Sequence, residues 1–121
     1  MATQSINANC IVKQSTPNDK SIPNATVTDL ASLVLDPGVW LVGGYNQFAT
    51  GYNGDYVNYM YLDDVLSARN AERTPCSAGG GNMMWRVIEL SAQTTVKFKV
   101  YQGSGAANTA KYISMIAVRL S

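Results

Sequence analysis

Short segments rich in aliphatic, β-branched and aromatic residues recur along this sequence, separated by turn residues at intervals of roughly eight to twelve positions. No window longer than one turn shows the period of an amphipathic helix. With 121 residues, the chain is long enough to bury one core. These features predict a single all-β domain, an antiparallel β-sandwich or barrel. The predicted strands cover residues 25–28, 30–35, 39–50, 55–62, 83–90, 95–102 and 112–120.

Two predictions concern the segments between the central strands. Asn53-Gly54 is a strong hairpin signal, and it predicts a turn whose return strand is 55–62. The stretch that follows is predicted to be irregular as far as residue 82. It is expected to contain one helical turn over 63–69 and a flexible glycine-rich loop over 77–82.

The N-terminal part of the chain has a different character. Residues 1–24 show little periodicity beyond the short run Cys10-Ile11-Val12, and they contain several proline and asparagine residues. They are therefore predicted to form an extended arm, with at most one short strand, ahead of a folded domain at 25–121.

Side-chain alternation separates strands with one apolar face from strands with two. In 95–102, apolar residues alternate with threonine, lysine and other polar residues, which predicts one face toward the core and one toward water. In 39–42, 55–62 and 112–120, both faces are largely apolar. Because each sheet of a sandwich has one inner face, a second apolar face needs another partner.

A neighbouring subunit would cover several two-sided strands at once, so the pattern predicts a closed homo-oligomer. A monomer whose loops cover the extra faces is the alternative, although the chain has little loop to use. Gly43 and Gly44 interrupt one two-sided strand, which predicts either a bulge or a close approach that leaves no room for a side chain. The predicted subunit contacts are Tyr56, Tyr59, Tyr61, Ile113, Met115 and Ala117.

The charge of the chain is low and evenly distributed. Charged residues make up 14% of the sequence, and 9 basic against 8 acidic residues give a net charge of +1. The basic residues are scattered, so no nucleic-acid interface is predicted. A polar surface with few charges suits a protein held in an assembly. The sequence shows no signal peptide and no apolar run near the roughly 20 residues of a membrane helix, so synthesis in a cytoplasm without membrane insertion is expected.

The residues that usually carry chemistry are sparse. The chain contains no histidine, which removes the commonest general base and most transition-metal sites. Asp63 and Asp64 have no further acid at a useful spacing, and they are interpreted as exposed loop carboxylates. Cys76 lacks a candidate base, and the glycine run at 79–81 lacks the lysine of a phosphate-binding loop. We expect no enzyme, cofactor or metal site, and we interpret Cys10 and Cys76 as free thiols, with a disulfide as the alternative.

Three features, in this order along the chain, carry a resemblance to a known family. They are a Pro-Gly turn leading into a tryptophan-containing strand at 35–42, a strand at 94–98 after a short turn, and a C-terminal strand ending at 116–120. They resemble the jelly-roll domains of the tumour-necrosis-factor and complement globular-head type, most of all those of bacteriophage tail-fibre tips, head fibres and capsid decoration proteins. The resemblance covers roughly residues 25–121, and it implies an antiparallel jelly-roll β-sandwich packed as a trimer.

The function implied by this resemblance is that of a bacteriophage structural protein, a homotrimer that decorates or cements the capsid of the virion. Its partner would be the major capsid protein or another virion protein. Residues 1–24 would form the attachment arm, with Cys10, Ile11 and Val12 as its apolar contacts. An isolated carbohydrate-binding module stays open as an alternative, as does a fibre tip that recognises host surface glycan through loop residues and tyrosines. The tyrosines considered for stacking on sugar rings are Tyr45, Tyr52, Tyr56, Tyr59 and Tyr61.

Overall fold

The computed structural model of the chain describes residues 11–50, 52–76 and 81–121. These residues form nine β-strands, and the prediction of an all-β fold is confirmed. None of the described residues belongs to a helix that is long and apolar enough to cross a membrane. The strands are β1 (Val12–Ser15), β2 (Lys20–Ile22), β3 (Thr28–Leu35), β4 (Gly38–Phe48), β5 (Tyr52–Leu62), β6 (Val65–Cys76), β7 (Gly81–Leu90), β8 (Thr94–Gln102) and β9 (Asn108–Arg119).

The strands form two antiparallel sheets whose pairing is nested along the chain. Sheet A has the order β1-β9-β4-β7, and β2 also pairs with β9. Sheet B has the order β3-β8-β5-β6. The first strands therefore pair with the last, and the pairing continues inward to the β5-β6 hairpin, as in one long hairpin that has been rolled up. This arrangement is the jelly roll, and it confirms the predicted sandwich.

The central hairpin lies at a different place from the one predicted. Asn53 and Gly54 lie inside β5, and the chain reverses at Asp63 and Asp64. Asp63 takes a left-handed φ of 53°, a conformation that Asp tolerates better than most residues. Its backbone N–H donates to the Thr95 carbonyl at 2.8 Å, and its Oδ1 accepts from the Thr95 N–H at 3.0 Å. The turn is therefore stabilised by β8. Because β8 is distant in sequence, a local turn pattern does not report this contact.

Strand β6 replaces the irregular stretch and helical turn predicted after residue 62. It pairs along its length with β5 and forms one edge of sheet B. Val65 and Leu66 at its start are exposed. Pro75 is compatible with an edge strand, because one side of such a strand needs no ladder N–H. Of the loop predicted over 77–82, the first four residues lie outside the described part of the chain, and the last two begin β7.

Part of the predicted arm belongs to the sandwich. Residues 12–22 contain β1 and β2, which both pair with β9. Ile22 is fully buried in the core. The start of the folded domain is therefore corrected from residue 25 to the beginning of β1, because sheet A needs these strands as its edge.

The core lies between the two sheets, and it explains the two glycines of β4. A Cβ at Gly44 would lie 2.6 Å from the ring of Phe98, which is fully buried and belongs to sheet B. A Cβ at Gly43 would lie 2.5 Å from the ring of Trp85, on the opposite face of sheet A. The pairing of β4 with β7 passes through both glycines without a shift. The predicted close approach is thus confirmed on both faces of the strand, and the alternative of a bulge at this point is not.

A small polar contact joins the two sheets inside the core. Tyr56 of β5 donates from its hydroxyl to Asn46 Oδ1 of β4 at 2.8 Å, and Asn58 Nδ2 lies 3.5 Å from the same oxygen. All three residues are buried. Because a buried polar group is costly without a partner, this contact favours one alignment of sheet A on sheet B.

Candidate functional site

Sheet A carries apolar side chains on its outer face as well as on its inner face. The strand register places these outward-pointing residues in rows that run across β1, β9, β4 and β7. The rows are Val12, Val118, Leu41 and Val87; then Gln14, Ile116, Gly43 and Trp85; then Ser114, Tyr45 and Met83. We refer to this surface as the outer face of sheet A.

The edge of this face on β7 is open to solvent in the single chain. The relative exposure is 61% for Val87, 51% for Met83 and 42% for Trp85. On β1, at the other edge, Val12 is also exposed, and the apolar residues of β4 and β9 between the two edges are half-buried. Contiguous apolar surfaces are typical of interaction sites, which makes the outer face of sheet A the candidate functional site.

Trp85 is the largest side chain of the outer face of sheet A, and Gly43 determines where its ring lies. The two residues are direct partners in the β4-β7 ladder. Three ring atoms of Trp85 would lie within 2.6 Å of a Cβ at Gly43, so the ring occupies the space that a side chain would fill. Pairing of an aromatic ring with a glycine across two strands keeps the glycine backbone covered. The ring thereby becomes part of a broad apolar surface.

The outer face of sheet B has a different chemistry. Lys99 Nζ lies 3.1 Å from Asp29 Oδ1 and 4.4 Å from the centroid of the Tyr61 ring. Lys97 Nζ lies 3.1 Å from Asp64 Oδ1. The hydrogen bond to Asp64, together with the charge of that carboxylate, raises the pKa of Lys97 above its usual value. Charged pairs of this kind suit a face that stays in contact with water.

The residues predicted as subunit contacts divide between two places. Tyr59 and Tyr61 lie half-buried on the outer face of sheet B, with ring centroids 6.1 Å apart. The other four are buried in the core: Tyr56, Ile113, Met115 and Ala117. These four residues are therefore removed from the predicted subunit contacts, because a residue between the two sheets cannot contact a neighbouring subunit. The prediction that β9 has two apolar faces holds, but its outward face carries Ile116 and Val118.

The exposed residues of β7 are candidates that the sequence analysis did not single out. The signal for them is present in the alternation of this strand. Met83, Trp85 and Val87 occupy one face, and Met84 and Ile88 occupy the other, where they are buried. Strand β7 is therefore a fourth two-sided strand, and it supplies the most exposed part of the outer face of sheet A.

The other predicted site residues are placed as follows. Val12 pairs with β9, and Ile11 just before it is exposed, whereas Cys10 lies outside the described residues. The side chain of Cys76 also lies outside the described part, so the state of both thiols stays a prediction. Among the described residues, no group of three or more acidic or cysteine side chains could hold a metal ion. Asp64 lies in the β5-β6 turn and forms an ion pair with Lys97 of β8.

Comparisons with known proteins find likeness in structure but not in sequence. No protein-family model matches the chain, and no curated protein matches it. The structure of infectious bursal disease virus Gt strain is similar with a TM-score of 0.64 and 18% identity, over 92% of this chain and 33% of that chain. The chain thus spans about a third of the length of the infectious bursal disease virus chains that it matches.

Two further structures extend this likeness. PRD1 vertex protein P5 is similar with a TM-score of 0.59 and 16% identity, over 93% of this chain and 73% of that chain. A chain from Bacillus endospore appendages, described as a novel family of disulfide-linked pili, is similar with a TM-score of 0.53 and 15% identity, over 100% of this chain and 99% of that chain. At these identities the similarity shows a shared fold.

Proposed function

We propose that this chain is a structural protein of a virion, a bacteriophage capsid decoration protein that assembles as a homotrimer. The observation that carries the proposal is the apolar outer face of sheet A, which a second copy of the chain would remove from water. A fold shared with infectious bursal disease virus and with PRD1 vertex protein P5 supports a role in a virion. The threefold order rests on the resemblance to trimeric jelly-roll heads.

The proposed role needs binding rather than catalysis. A decoration protein adds interfacial free energy to the assembled shell, so it stabilises the shell by mass action. Its partner would be the major capsid protein or another virion protein. Because β1 and β2 belong to sheet A, the part of the predicted arm that is left for attachment to that partner is the segment ahead of residue 12.

The experiment that tests self-assembly compares two exposed valines on different sheets. Val87 lies on the outer face of sheet A with 61% exposure, and Val34 lies on the outer face of sheet B with 48%. Val87→Lys places a charge in the proposed interface, where an unpaired buried lysine costs about 3 kcal/mol or more. That cost corresponds to roughly a hundredfold increase in the dissociation constant. Val34→Lys introduces the same charge on a face that already carries lysines.

Sedimentation velocity at micromolar concentration provides the measurement. The wild type and Val34→Lys are expected to sediment as trimers, and Val87→Lys as a monomer with an unchanged circular dichroism spectrum. A monomeric wild type would rule out the proposed assembly. A Val87→Lys protein that stays trimeric would place the interface elsewhere.

Attachment to the virion is tested separately. Peptides of the chain are expected in virions purified from its source, detected by mass spectrometry. A variant that lacks residues 1–10 keeps β1 intact and is expected to remain trimeric but to lose co-sedimentation with those virions. Absence of the chain from virions would contradict a decoration role. Co-sedimentation without residues 1–10 would move attachment to the folded domain.

A further inference from the structure

The edge of sheet A is interrupted between β1 and β2. Strand β1 pairs with residues 115–118 of β9, and β2 pairs with residues 108–110. Residues 16–19 lie opposite 111–114 but form no ladder with them. The interruption leaves an open cleft of about 700 Å³ between the two segments. On the side of the cleft formed by residues 16–19, backbone groups belong to no ladder and are suited to binding a polar ligand.

A bulge in β9 directs one aromatic side chain out of the sheet at this cleft. Asn46 of β4 is opposed by two residues of β9, Tyr112 and Ile113. Regular alternation from the buried Ala110 would point residue 112 into the core. The extra residue puts Ile113 in the core instead, with 2% exposure, and leaves Tyr112 67% exposed.

The backbone of Tyr112 is strained, and its side chain lies mostly in solvent. Its φ is 52°, in the left-handed region that residues with a Cβ adopt only at a cost. Glycine would satisfy the bulge without that cost. A non-glycine residue that keeps a strained conformation while its ring points into solvent is the kind of local conflict found at binding sites.

We propose that this cleft binds a neutral saccharide, with the ring of Tyr112 as its stacking platform. A tyrosine ring can cover the C–H face of a pyranose while its hydroxyl stays in water. The cleft is also lined by Thr16, Asn18, Asp19 and Ser114. Their hydroxyl, amide and carboxylate groups match the hydrogen-bonding needs of sugar hydroxyls. Because the cleft is open, it suits a sugar at the end of a surface glycan rather than an enclosed small molecule.

The charge of the lining selects among saccharides. Among the described residues that line the cleft, Asp19 is the charged one and none is basic. The nearby Lys20 donates from Nζ to the backbone oxygen of Asp29 at 2.6 Å, so its charge is directed toward β3. An acidic sugar would meet the like charge of Asp19 inside the cleft. The cleft therefore favours neutral sugars over sialylated or uronic ones.

The first measurement uses the full chain labelled with ¹⁵N and titrated with the methyl glycosides of glucose, galactose, mannose and N-acetylglucosamine. Sialyllactose serves as the acidic probe. At least one neutral glycoside is expected to shift the amide signals of residues 16–19 and 112–114. No shift with any neutral glycoside at tens of millimolar, or tighter binding of sialyllactose, overturns the proposal.

A variant that removes the ring without harming the fold completes the test. Tyr112→Gly relieves the left-handed φ, so its melting temperature is expected to equal or exceed that of the wild type. Its affinity for the bound glycoside is expected to fall at least tenfold. Tyr112→Phe is expected to bind as the wild type does, and so is Tyr59→Ala, which removes a tyrosine from the outer face of sheet B. Unchanged binding by Tyr112→Gly, or loss of binding in Tyr59→Ala, refutes the site. Sedimentation of the same samples reports on self-assembly independently.

Discussion

Replacing Gly44 with alanine tests how tightly the two sheets are packed. The new Cβ would lie 2.6 Å from two atoms of the Phe98 ring. Phe98 is fully buried, and its direct ladder neighbours Met60 and Ala31 are also in the core, so the ring cannot move aside into solvent. Overpacking of this kind costs about 1 to 3 kcal/mol. Alanine regains roughly 0.5 to 1 kcal/mol of backbone entropy relative to glycine.

The difference between these two contributions is about 0 to 2.5 kcal/mol, and because the ring is fully buried we expect a net loss of about 1 to 2 kcal/mol in the free energy of unfolding for Gly44→Ala. For a domain of this size, that corresponds to a melting temperature lower by roughly 3 to 10 °C. Urea unfolding followed by tryptophan fluorescence measures the difference. The experiment is repeated at several protein concentrations, because self-association adds stability that depends on concentration.

Gly43→Ala is the matched control, since Gly43 is the preceding residue of the same strand and faces the opposite way. Its Cβ would meet the ring of Trp85 at 2.5 Å, but that ring is 42% exposed and can move into solvent. The unfolding free energy of the dilute protein is expected to change by less than about 0.5 kcal/mol, as for most surface substitutions. Equal losses for the two variants, or an unchanged Gly44→Ala, would refute the assignment of one glycine to the core and the other to the outer face.

Two further predictions concern polar contacts. Tyr56→Phe removes the donor to the buried Asn46 Oδ1 at 2.8 Å and is expected to lower the free energy of unfolding by about 1 to 2 kcal/mol, measured by urea unfolding. The pKa of Lys97 is raised above 10.5 by Asp64, so the stability from this pair is complete below that value and is lost as the pH rises through the raised pKa. The measurement is the free energy of unfolding at about pH 9 and at about pH 11.5. The decrease between these two pH values is expected to be smaller in Asp64→Asn than in the wild type.

Most of the sandwich could be predicted because its strands alternate. In β4, Trp40 and Val42 are buried while Val39 and Leu41 are less so, which is the division that alternation predicts. Strand β8 follows the same rule more strictly. Such patterns are local, since each side chain's face depends only on its position in its own strand. A count of two-sided strands is therefore accessible from sequence.

The same rule cannot say which of two apolar faces points inward. Ile113 and Met115 on one side of β9, and Ile116 and Val118 on the other, are equally apolar. The inner side is decided by the opposite sheet, which is distant in sequence. The bulge at Tyr112 adds to the difficulty, because one extra residue exchanges the faces and has no clear local signal. The interface prediction therefore selected the buried side of this strand.

The misplaced hairpin has a related cause. Asn53-Gly54 is a good turn sequence, yet β5 continues through it to pair with β6 along its whole length. A turn there would shorten β5 and cost ladder hydrogen bonds in sheet B, which outweigh a local preference of the order of 1 kcal/mol. The predicted arm, residues 1–24, is too long because of similar long-range pairing. The short strands β1 and β2 within it form by pairing with β9, which is distant in sequence.

The contrast between the two outer faces supports the proposed assembly more strongly than the apolar residues alone. Among the described residues, the ion pairs between lysines and acids lie on the outer face of sheet B, whereas apolar side chains line the outer face of sheet A. A face that stays in water suits charged pairs, whereas a contiguous apolar face suits contact with another surface. Valine, isoleucine and tryptophan in matched rows across sheet A lower the solubility of a free subunit. A second copy of the chain on this face would remove that penalty and leave the lysine-bearing face of sheet B in water.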